Sequence, residues 1–365
     1  MSTSAVNANP RLTALVAAGT APWLDSIEHE LIASGELARL RDELCLRGVT
    51  SNPAIFEKAI LGADAYDDTI AKLAGEGADA RQIFQTIAVA EVGAAADVLR
   101  PVFDEHQDGF VSLEVDPDLA FDTDKTLEQA RDYWQRLDRP NIFIKIPATD
   151  EGVPAIEQAI YEGINVNVTL LFSVESYANV AEAYIKGLER RHAEGKSVDV
   201  HSVASFFVSR VDTEVDKRLK DLDREDLRGI AAVANARAAY QRYQEIFEGD
   251  RFAELRAAGA KVQRPLWAST GVKDPAYPDT KYVDTLVGPD TVNTMPMDTL
   301  KATADHGDIK PDTALVDPTD DLKKLADAGI DMEDVTIQLL KEGVDKFVTP
   351  MEKLLEGIES KRGNV

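Results

Sequence analysis

Residues 142–147 read Ile-Phe-Ile-Lys-Ile-Pro, and this stretch decides the fold. In an extended strand, successive side chains point to opposite faces. The three isoleucines therefore share one face, which suits packing beneath helices, and Lys145 takes the other. Strands of a parallel barrel are buried on both faces, so a lysine inside such a strand requires a partner or a function.

Seven further stretches have a similar strand-like character. In chain order the eight candidates are Ala21–Ile27, Leu46–Asn52, Gly109–Asp116, Asn141–Pro147, Asn165–Phe172, Asp199–Val208, Arg264–Thr270 and Asp284–Thr294. Helical patterns lie between them, at Ala78–Pro101, Thr126–Leu137, Val174–His192 and Ala231–Phe247. This alternation predicts parallel strands joined by crossover helices. Eight such units fit a closed (β/α)8 barrel of the α/β class better than an open sheet.

We interpret residues 1–365 as a single barrel domain with an N-terminal helical lead-in. The intervals 53–107 and 209–263 are longer than one crossover helix needs, so we expect additional helices in both. Residues 271–281 and 301–319 are rich in Pro, Asp and Gly and are predicted to form loops.

The composition excludes several classes of partner. There are 40 Lys and Arg against 65 Asp and Glu, a net charge of −25, which argues against nucleic acid and anionic membranes. The single cysteine, Cys45, excludes an intramolecular disulfide and indicates a reducing, cytoplasmic location. The uncharged stretch Leu12–Leu24 is interrupted by Gly19 and Pro22, so we expect a short helix leading into a strand rather than an export signal.

Most strand candidates carry polar side chains near their carboxyl ends, where the active sites of (β/α)8 barrels lie. They are Asp25, Thr50, Asn52, Glu114, Lys145, Asn167, Thr169, Ser205 and Ser269. The pairs Thr50/Asn52 and Asn167/Thr169 are each in phase on one strand face. We therefore expect these groups to converge in the mouth of the barrel.

Lys145 is the most informative of these residues. Its isoleucine neighbours would remove water from the amine, and loss of hydration disfavours the ammonium form. A neutral amine is the nucleophile that forms a Schiff base with a carbonyl compound. A purely structural ion pair with Glu114 on the neighbouring strand is an equally open interpretation at this point.

The companion residues also have simpler interpretations. Asp25 could cap a strand end, Asn52 with Pro53 could start a helix, and Ser205 could be a small core residue. Together, in phase on strands around one barrel, they favour a functional site.

Five blocks of the sequence resemble the transaldolase family. They are residues 48–56 (Gly-Val-Thr-Ser-Asn-Pro-Ala-Ile-Phe), 111–116 (Val-Ser-Leu-Glu-Val-Asp), 142–149 (Ile-Phe-Ile-Lys-Ile-Pro-Ala-Thr), 165–173 (Asn-Val-Asn-Val-Thr-Leu-Leu-Phe-Ser) and 205–212 (Ser-Phe-Phe-Val-Ser-Arg-Val-Asp). The resemblance implies transfer of a dihydroxyacetone unit from sedoheptulose 7-phosphate or fructose 6-phosphate to glyceraldehyde 3-phosphate or erythrose 4-phosphate. It places the enzyme in the non-oxidative pentose phosphate pathway and implies no metal or organic cofactor.

Matched position by position, the resemblance also implies residue roles. Lys145 would form the imine, Asp25 would be the general base for carbon–carbon cleavage, and Glu114 with Thr169 would hold a proton-shuttling water. The substrate-binding residues would be Thr50, Asn52, Asn167, Ser205, Phe207 and the phosphate ligand Arg210. Some family members have an arginine just after the seventh strand as a second phosphate ligand, and here Lys273 is its expected substitute.

Two alternatives remain at this stage. The first is a cofactor-free aldolase that releases free dihydroxyacetone, although such relatives have a tyrosine where Glu114 stands. The second is a non-enzymatic acidic binding protein, against which Lys145, Asp25 and Glu114 argue.

Overall fold

Eight parallel strands form a closed barrel in the computed structural model, which describes residues 8–363. The ends of the predicted domain, residues 1–7 and 364–365, lie outside the described part. The strands are β1 (Thr20–Asp25), β2 (Gly48–Thr50), β3 (Phe110–Glu114), β4 (Ile142–Pro147), β5 (Val166–Leu171), β6 (Ser202–Phe207), β7 (Gln263–Ala268) and β8 (Thr291–Met295). Each strand pairs with the next in the sequence, and β8 pairs with β1. The predicted (β/α)8 fold is confirmed.

Helices surround the barrel. They are α1 (Pro10–Ala17), α2 (His29–Ala33), α3 (Glu36–Glu43), α4 (Pro53–Leu61), α5 (Asp67–Gly75), α6 (Ala80–His106), α7 (Thr123–Leu137), α8 (Gly152–Glu162), α9 (Val174–Ala193), α10 (Ser209–Asp221), α11 (Ala231–Phe247), α12 (Asp250–Ala257), α13 (Lys281–Asp284), α14 (Met297–His306), α15 (Thr319–Asp327) and α16 (Met332–Arg362). The long intervals 53–107 and 209–263 hold α4 to α6 and α10 to α12. Among residues 8–363, no helix is long and apolar enough to cross a membrane.

Two helices were not predicted correctly from the sequence. The helix expected to end at Pro101 continues to His106, because a proline removes only one backbone donor and the following turn stays anchored by buried Val102. The segment 301–319, expected to be a loop, contains the second half of α14, whose Leu300 and Thr303 pack inward.

The eighth strand starts later than predicted. The sequence suggested a start at Asp284, but that residue ends the short helix α13, and a turn at Pro289 and Asp290 precedes β8. Asp290 has a φ of +55°, a left-handed conformation that reverses the chain before the strand begins.

Aromatic side chains fill the amino-terminal half of the barrel interior. Phe110 and Phe143 stack with their ring centroids 4.3 Å apart, and fully buried Trp23 lies 6.1 Å from Phe143. Gly48 lies opposite Trp23 in the β1–β2 pairing, and its missing side chain leaves room for the indole ring. These rings form a solid floor beneath the carboxyl ends of the strands.

The C-terminal helix α16 crosses the mouth of the barrel. Gly343 lies against Leu170 and Phe172 at the end of β5, and Gly357 lies against Leu61 of α4. Leu170 has a φ of +62° at an irregularity in the β5–β6 register, and its side chain contacts the helix there. The helix therefore covers part of the opening.

The close packing of Trp23 against Gly48 predicts that Gly48→Ala destabilises the protein. The new methyl group would lie 2.3 Å from the Trp23 ring, so the barrel must shift, at a cost of about 1–3 kcal/mol of unfolding free energy. Urea denaturation measures this. Gly75→Ala in α5 is the control, because nothing lies within 4 Å of the added methyl group and alanine favours the helix. Equal stability of Gly48→Ala and the parent protein would contradict this packing.

Candidate active site

A cavity of about 180 Å³ opens at the carboxyl ends of the strands. The cavity is lined by Asp25, Thr50, Asn52, Lys145, Thr169, Ser205, Phe207, Arg210, Ala268, Ser269, Gly271, Lys273, Thr294, Pro296 and Phe347. Side chains from seven of the strand ends and from α16 thus meet in one place.

Lys145 lies deep in this cavity, and its side chain is only 6% exposed. Its Nζ donates a hydrogen bond to the Ser51 carbonyl at 2.9 Å and lies 3.0 Å from Glu114 Oε2. Lys145 and Glu114 are directly opposite each other in the β3–β4 pairing. The ion pair considered from the sequence is therefore present, and its lysine also faces the cavity.

Asp25 faces Lys145 from the first strand. Thr50 donates a hydrogen bond to Asp25 Oδ1 at 2.6 Å, and Thr50 Oγ1 lies 2.7 Å from the Thr294 hydroxyl. This bond orients the Asp25 carboxyl group toward the cavity rather than toward a backbone donor at the strand end. Asp25 is thus held with its carboxyl group at the cavity surface.

Asn167 lies just below the cavity and is fully buried. Its amide donates to Ser112 Oγ at 3.0 Å and accepts from Ser205 Oγ at 2.7 Å, so Asn167 orients Ser205, which lines the cavity. Thr169 lines the cavity two residues further along β5. The Thr169 hydroxyl has no hydrogen-bond partner among residues 8–363, which leaves it available to a ligand or to water.

Asn52 combines its two possible roles. Its Oδ1 accepts a hydrogen bond from the Ile55 amide at 3.1 Å and caps α4, with Pro53 at the first helical position. The same residue lines the cavity. Helix capping uses the oxygen of the amide, which leaves the NH2 group as a donor for a ligand.

The rim of the cavity carries two cations. Arg210, in the first turn of α10, stacks over the Phe207 ring with its guanidinium carbon 5.0 Å from the ring centroid. Arg210 Nη1 is buried and has no hydrogen-bond partner within the described part of the chain. Lys273 follows β7 and is more exposed. Together they provide positive charge for an anionic ligand group.

Burial controls the two carboxyl groups of the site. Removal from water raises the pKa of Glu114, an effect that the positive charge of Lys145 opposes. Burial also raises the pKa of Asp25, while its hydrogen bond from Thr50 and the charge of Lys145 act in the opposite direction. Both groups therefore keep a proton to higher pH than ordinary carboxyl groups.

The comparison with known proteins agrees with this geometry. A sequence model of the family described as Transaldolase/Fructose-6-phosphate aldolase matches residues 22–358. The chain belongs to this family.

Several curated relatives of the transaldolase family match over nearly the whole chain. The chain is 50% identical over 355 residues to a protein named Transaldolase from Saccharopolyspora erythraea, which covers 96% of this chain and 97% of the relative. It is 51% identical over 366 residues to one from Mycolicibacterium paratuberculosis, with 98% of each chain covered. A third, from Thermobifida fusca, is 51% identical over 350 residues, with 93% and 95% covered. These relatives confirm the predicted family and enzyme class, a transaldolase.

The structure brings together all but two of the predicted transaldolase site residues on the cavity surface. Glu114 and Asn167 are the exceptions. Glu114 lies beside Lys145, and Asn167 lies behind Ser205. Strand alternation predicted that both side chains point into the barrel. It did not predict how far below the cavity surface they lie.

Several parts of this transaldolase-family site were not recognised in the sequence. Thr294 is polar and is the last residue of the predicted eighth strand, so the rule applied to the other strands would have identified it. The Ser51 carbonyl and the ring of Phe347 left no recognisable signal. A main-chain acceptor has no side-chain signature, and Phe347 reaches the cavity only through long-range packing of α16.

The raised pKa of Asp25 predicts that Asp25→Asn stabilises the protein. Because folded Asp25 retains its proton above the pH at which the unfolded chain ionises, stability falls as pH rises through the folded pKa. Asparagine carries no charge at any of these pH values, so the variant avoids the cost of burying an ionised carboxylate. Urea denaturation should therefore show the variant more stable at pH 8 by on the order of 1 kcal/mol, with the difference shrinking toward pH 4.

The exposed Asp124 supplies the matched control for this measurement. Asp124→Asn should change the unfolding free energy by less than about 0.5 kcal/mol at either pH. An Asp25→Asn protein that is less stable than the parent at pH 8 would contradict the assigned cost of burial.

Proposed function

We propose that this enzyme transfers a dihydroxyacetone unit from a ketose phosphate to an aldose phosphate through a Schiff base on Lys145. The observation that carries this proposal is the position of the Lys145 amine. It is buried, it lies 3.0 Å from a carboxyl group, and it faces the cavity that Asp25 also lines. An amine, a proton-transfer partner and a separate base are the groups that this chemistry needs.

Imine formation uses Lys145, Glu114 and Thr169. The amine attacks the ketose carbonyl at C2, and the resulting carbinolamine must lose its hydroxyl group as water. Glu114, whose pKa is raised by burial, would receive and return the protons of these steps. The Thr169 hydroxyl lines the same cavity and supports the position of a water molecule between the two side chains.

Carbon–carbon cleavage uses Asp25. Removal of the proton from the C4 hydroxyl forms a carbonyl at C4, breaks the C3–C4 bond and sends the electron pair into the protonated imine as an enamine. The aldose phosphate leaves. Attack of the enamine carbon on an acceptor aldehyde reverses these steps, with Asp25 returning the proton. The protonated imine is the electron sink, so this sequence assigns no step to a metal or an organic cofactor.

Polar side chains around Lys145 would hold the three-carbon unit. The Asn52 amide and the Ser205 hydroxyl line the cavity, and Asn167 fixes the direction of Ser205. Thr50 binds Asp25, and Phe207 closes the wall beneath Arg210. These contacts would hold the enamine in place between departure of one aldose and arrival of the next.

The sugar phosphate group would bind at the rim. The buried, unpartnered Nη1 of Arg210 supports a charge-assisted hydrogen bond to a phosphate oxygen. Lys273 lines the same cavity and adds a second charge, although a lysine lacks the bidentate geometry of arginine. We place the reaction in the cytoplasm and in the non-oxidative pentose phosphate pathway, because of the family and the single cysteine.

An aldolase that releases dihydroxyacetone is the second candidate, because the family description includes fructose-6-phosphate aldolase. Glu114 stands where the resemblance places a tyrosine in such enzymes, and the relatives at about half identity are named Transaldolase. Fructose 6-phosphate supplied with and without erythrose 4-phosphate separates the two. Transfer requires the acceptor, whereas an aldolase releases dihydroxyacetone without it.

The Schiff-base assignment predicts that Lys145→Ala loses both turnover and trapping. Borohydride reduction with fructose 6-phosphate should add a three-carbon group to the parent protein, mapped to Lys145 by mass spectrometry of peptides. The variant should show neither the adduct nor detectable activity, with an unchanged circular dichroism spectrum. Lys125→Ala, which removes an exposed lysine, should trap normally. An adduct on another lysine of the parent protein would overturn the assignment.

The phosphate assignment predicts that Arg210→Ala mainly raises KM. Loss of one charged hydrogen bond to phosphate should raise KM for fructose 6-phosphate roughly 10- to 100-fold, with a smaller effect on kcat. Unphosphorylated fructose should be used equally well by variant and parent. Arg242→Ala, at a surface ion pair with Glu245, is the control for loss of an arginine. If Arg210→Ala impaired turnover of fructose and of fructose 6-phosphate equally, Arg210 would have a structural role instead.

A further inference from the structure

Phe347 is an aromatic residue in the catalytic cavity that does not come from the barrel. It lies on α16, is only 5% exposed and lines the same cavity as Lys145. Its ring centroid lies 5.6 Å from Lys145 Nζ. An apolar ring is thus placed near the atom on which the covalent intermediate forms.

The position of this ring is fixed by packing along α16. Upstream of Phe347, the helix backbone at Gly343 contacts Leu170 and Phe172 of the barrel. Near the end of the helix, Lys361 Nζ lies 2.5 Å from Asp67 Oδ1. Contacts on both sides of the mouth hold the ring over Lys145 independently of any ligand.

The enamine on Lys145 has two possible fates. In transfer, its nucleophilic carbon attacks the acceptor aldehyde and forms a carbon–carbon bond. In the wasteful fate, the same carbon takes a proton, water adds across the resulting C=N bond, and dihydroxyacetone leaves with restoration of the Lys145 amine. Both fates end with hydrolysis of an imine on Lys145, which consumes one water in each, so they divide at the enamine carbon. Access of a proton-donating water to that carbon therefore controls the ratio of release to transfer.

The location of Phe347 suits control of this ratio. The ring centroid lies 5.6 Å from Lys145 Nζ on the α16 side, and the ring occupies space from which a proton-donating water could approach the enamine carbon. Thr169 and Glu114 supply polar groups on the barrel side, where water is needed for imine formation. Phe347 covers the amine from the side of α16.

We propose that Phe347 makes the enzyme a transferase rather than a hydrolysing aldolase, by excluding proton-donating water from the carbon atom of the Lys145 enamine. This inference rests on the proposed Schiff-base function. It assigns to the C-terminal helix a direct role in the outcome of the reaction, separate from the bond-breaking steps at Lys145 and Asp25.

The test is a graded series of substitutions. Phe347→Leu, Phe347→Val and Phe347→Ala remove increasing volume from the cover, and the two intermediate variants keep the series informative if the alanine variant unfolds. Each is assayed with fructose 6-phosphate and erythrose 4-phosphate, and free dihydroxyacetone is measured beside the transfer product. The ratio of release to transfer should rise with the volume removed, by roughly tenfold or more in Phe347→Ala.

Ile337→Ala is the matched control, because Ile337 lies on the same helix and is 63% exposed. Its ratio of release to transfer should equal that of the parent. A ratio that stays constant from Leu to Ala in folded variants would overturn the proposal, as would a change of equal size in Ile337→Ala.

Borohydride trapping separates this inference from the function on which it rests. If the parent protein forms no adduct on Lys145, the proposed function fails and the role of Phe347 fails with it. If the parent and the variants all trap the three-carbon unit while the ratio stays constant, only the role of Phe347 is wrong.

Discussion

The buried pair of Lys145 and Glu114 is the interaction on which the site depends. Both side chains are 6% exposed and lie opposite each other on adjacent strands, 3.0 Å apart. Taking two charges out of water costs several kcal/mol per ion, and mutual attraction offsets this only with excellent geometry. Such a pair is therefore a poor means of stabilising a barrel. Its access to the cavity points to a chemical role, for which a closed ring of parallel strands provides rigid support.

The same reasoning applies to the other polar groups of the mouth. Burial raises the pKa of both Asp25 and Glu114, which means that the fold keeps them in surroundings that oppose their charged forms. The aromatic floor around Trp23 and the cover by Phe347 maintain those surroundings from below and above. Apolar packing in this barrel thus stabilises the fold and also sets the proton affinities in the site.

Local rules explain which features could be predicted from the sequence. Strand alternation requires only neighbouring residues, so it correctly directed Lys145, Glu114 and Asn167 toward the barrel interior. Strand alternation does not say how deep a side chain lies in the barrel. Only the structure shows that Asn167 lies below Ser205 and accepts its hydrogen bond. The contribution of Phe347 lies some two hundred residues away in the sequence and arises from packing of α16 across the mouth. No periodicity within that helix distinguishes an inward aromatic residue that packs in the core from one that lines a site.

A gradient of polarity along the barrel axis finally accounts for the direction in which a sugar phosphate would bind. The interior is apolar at the floor, holds Lys145 at mid-depth, and carries Arg210 and Lys273 at the rim. Asp25, Glu342 and Glu114 are the carboxyl groups whose charges act on Arg210, and at a screening length of about 8 Å more distant surface charges act weakly on the rim. Arg210 and Lys273 are the cations that a phosphate group would meet at the rim. A ligand with a carbonyl group at one end and a phosphate at the other satisfies this gradient in only one orientation, with its carbonyl carbon at the amine of Lys145.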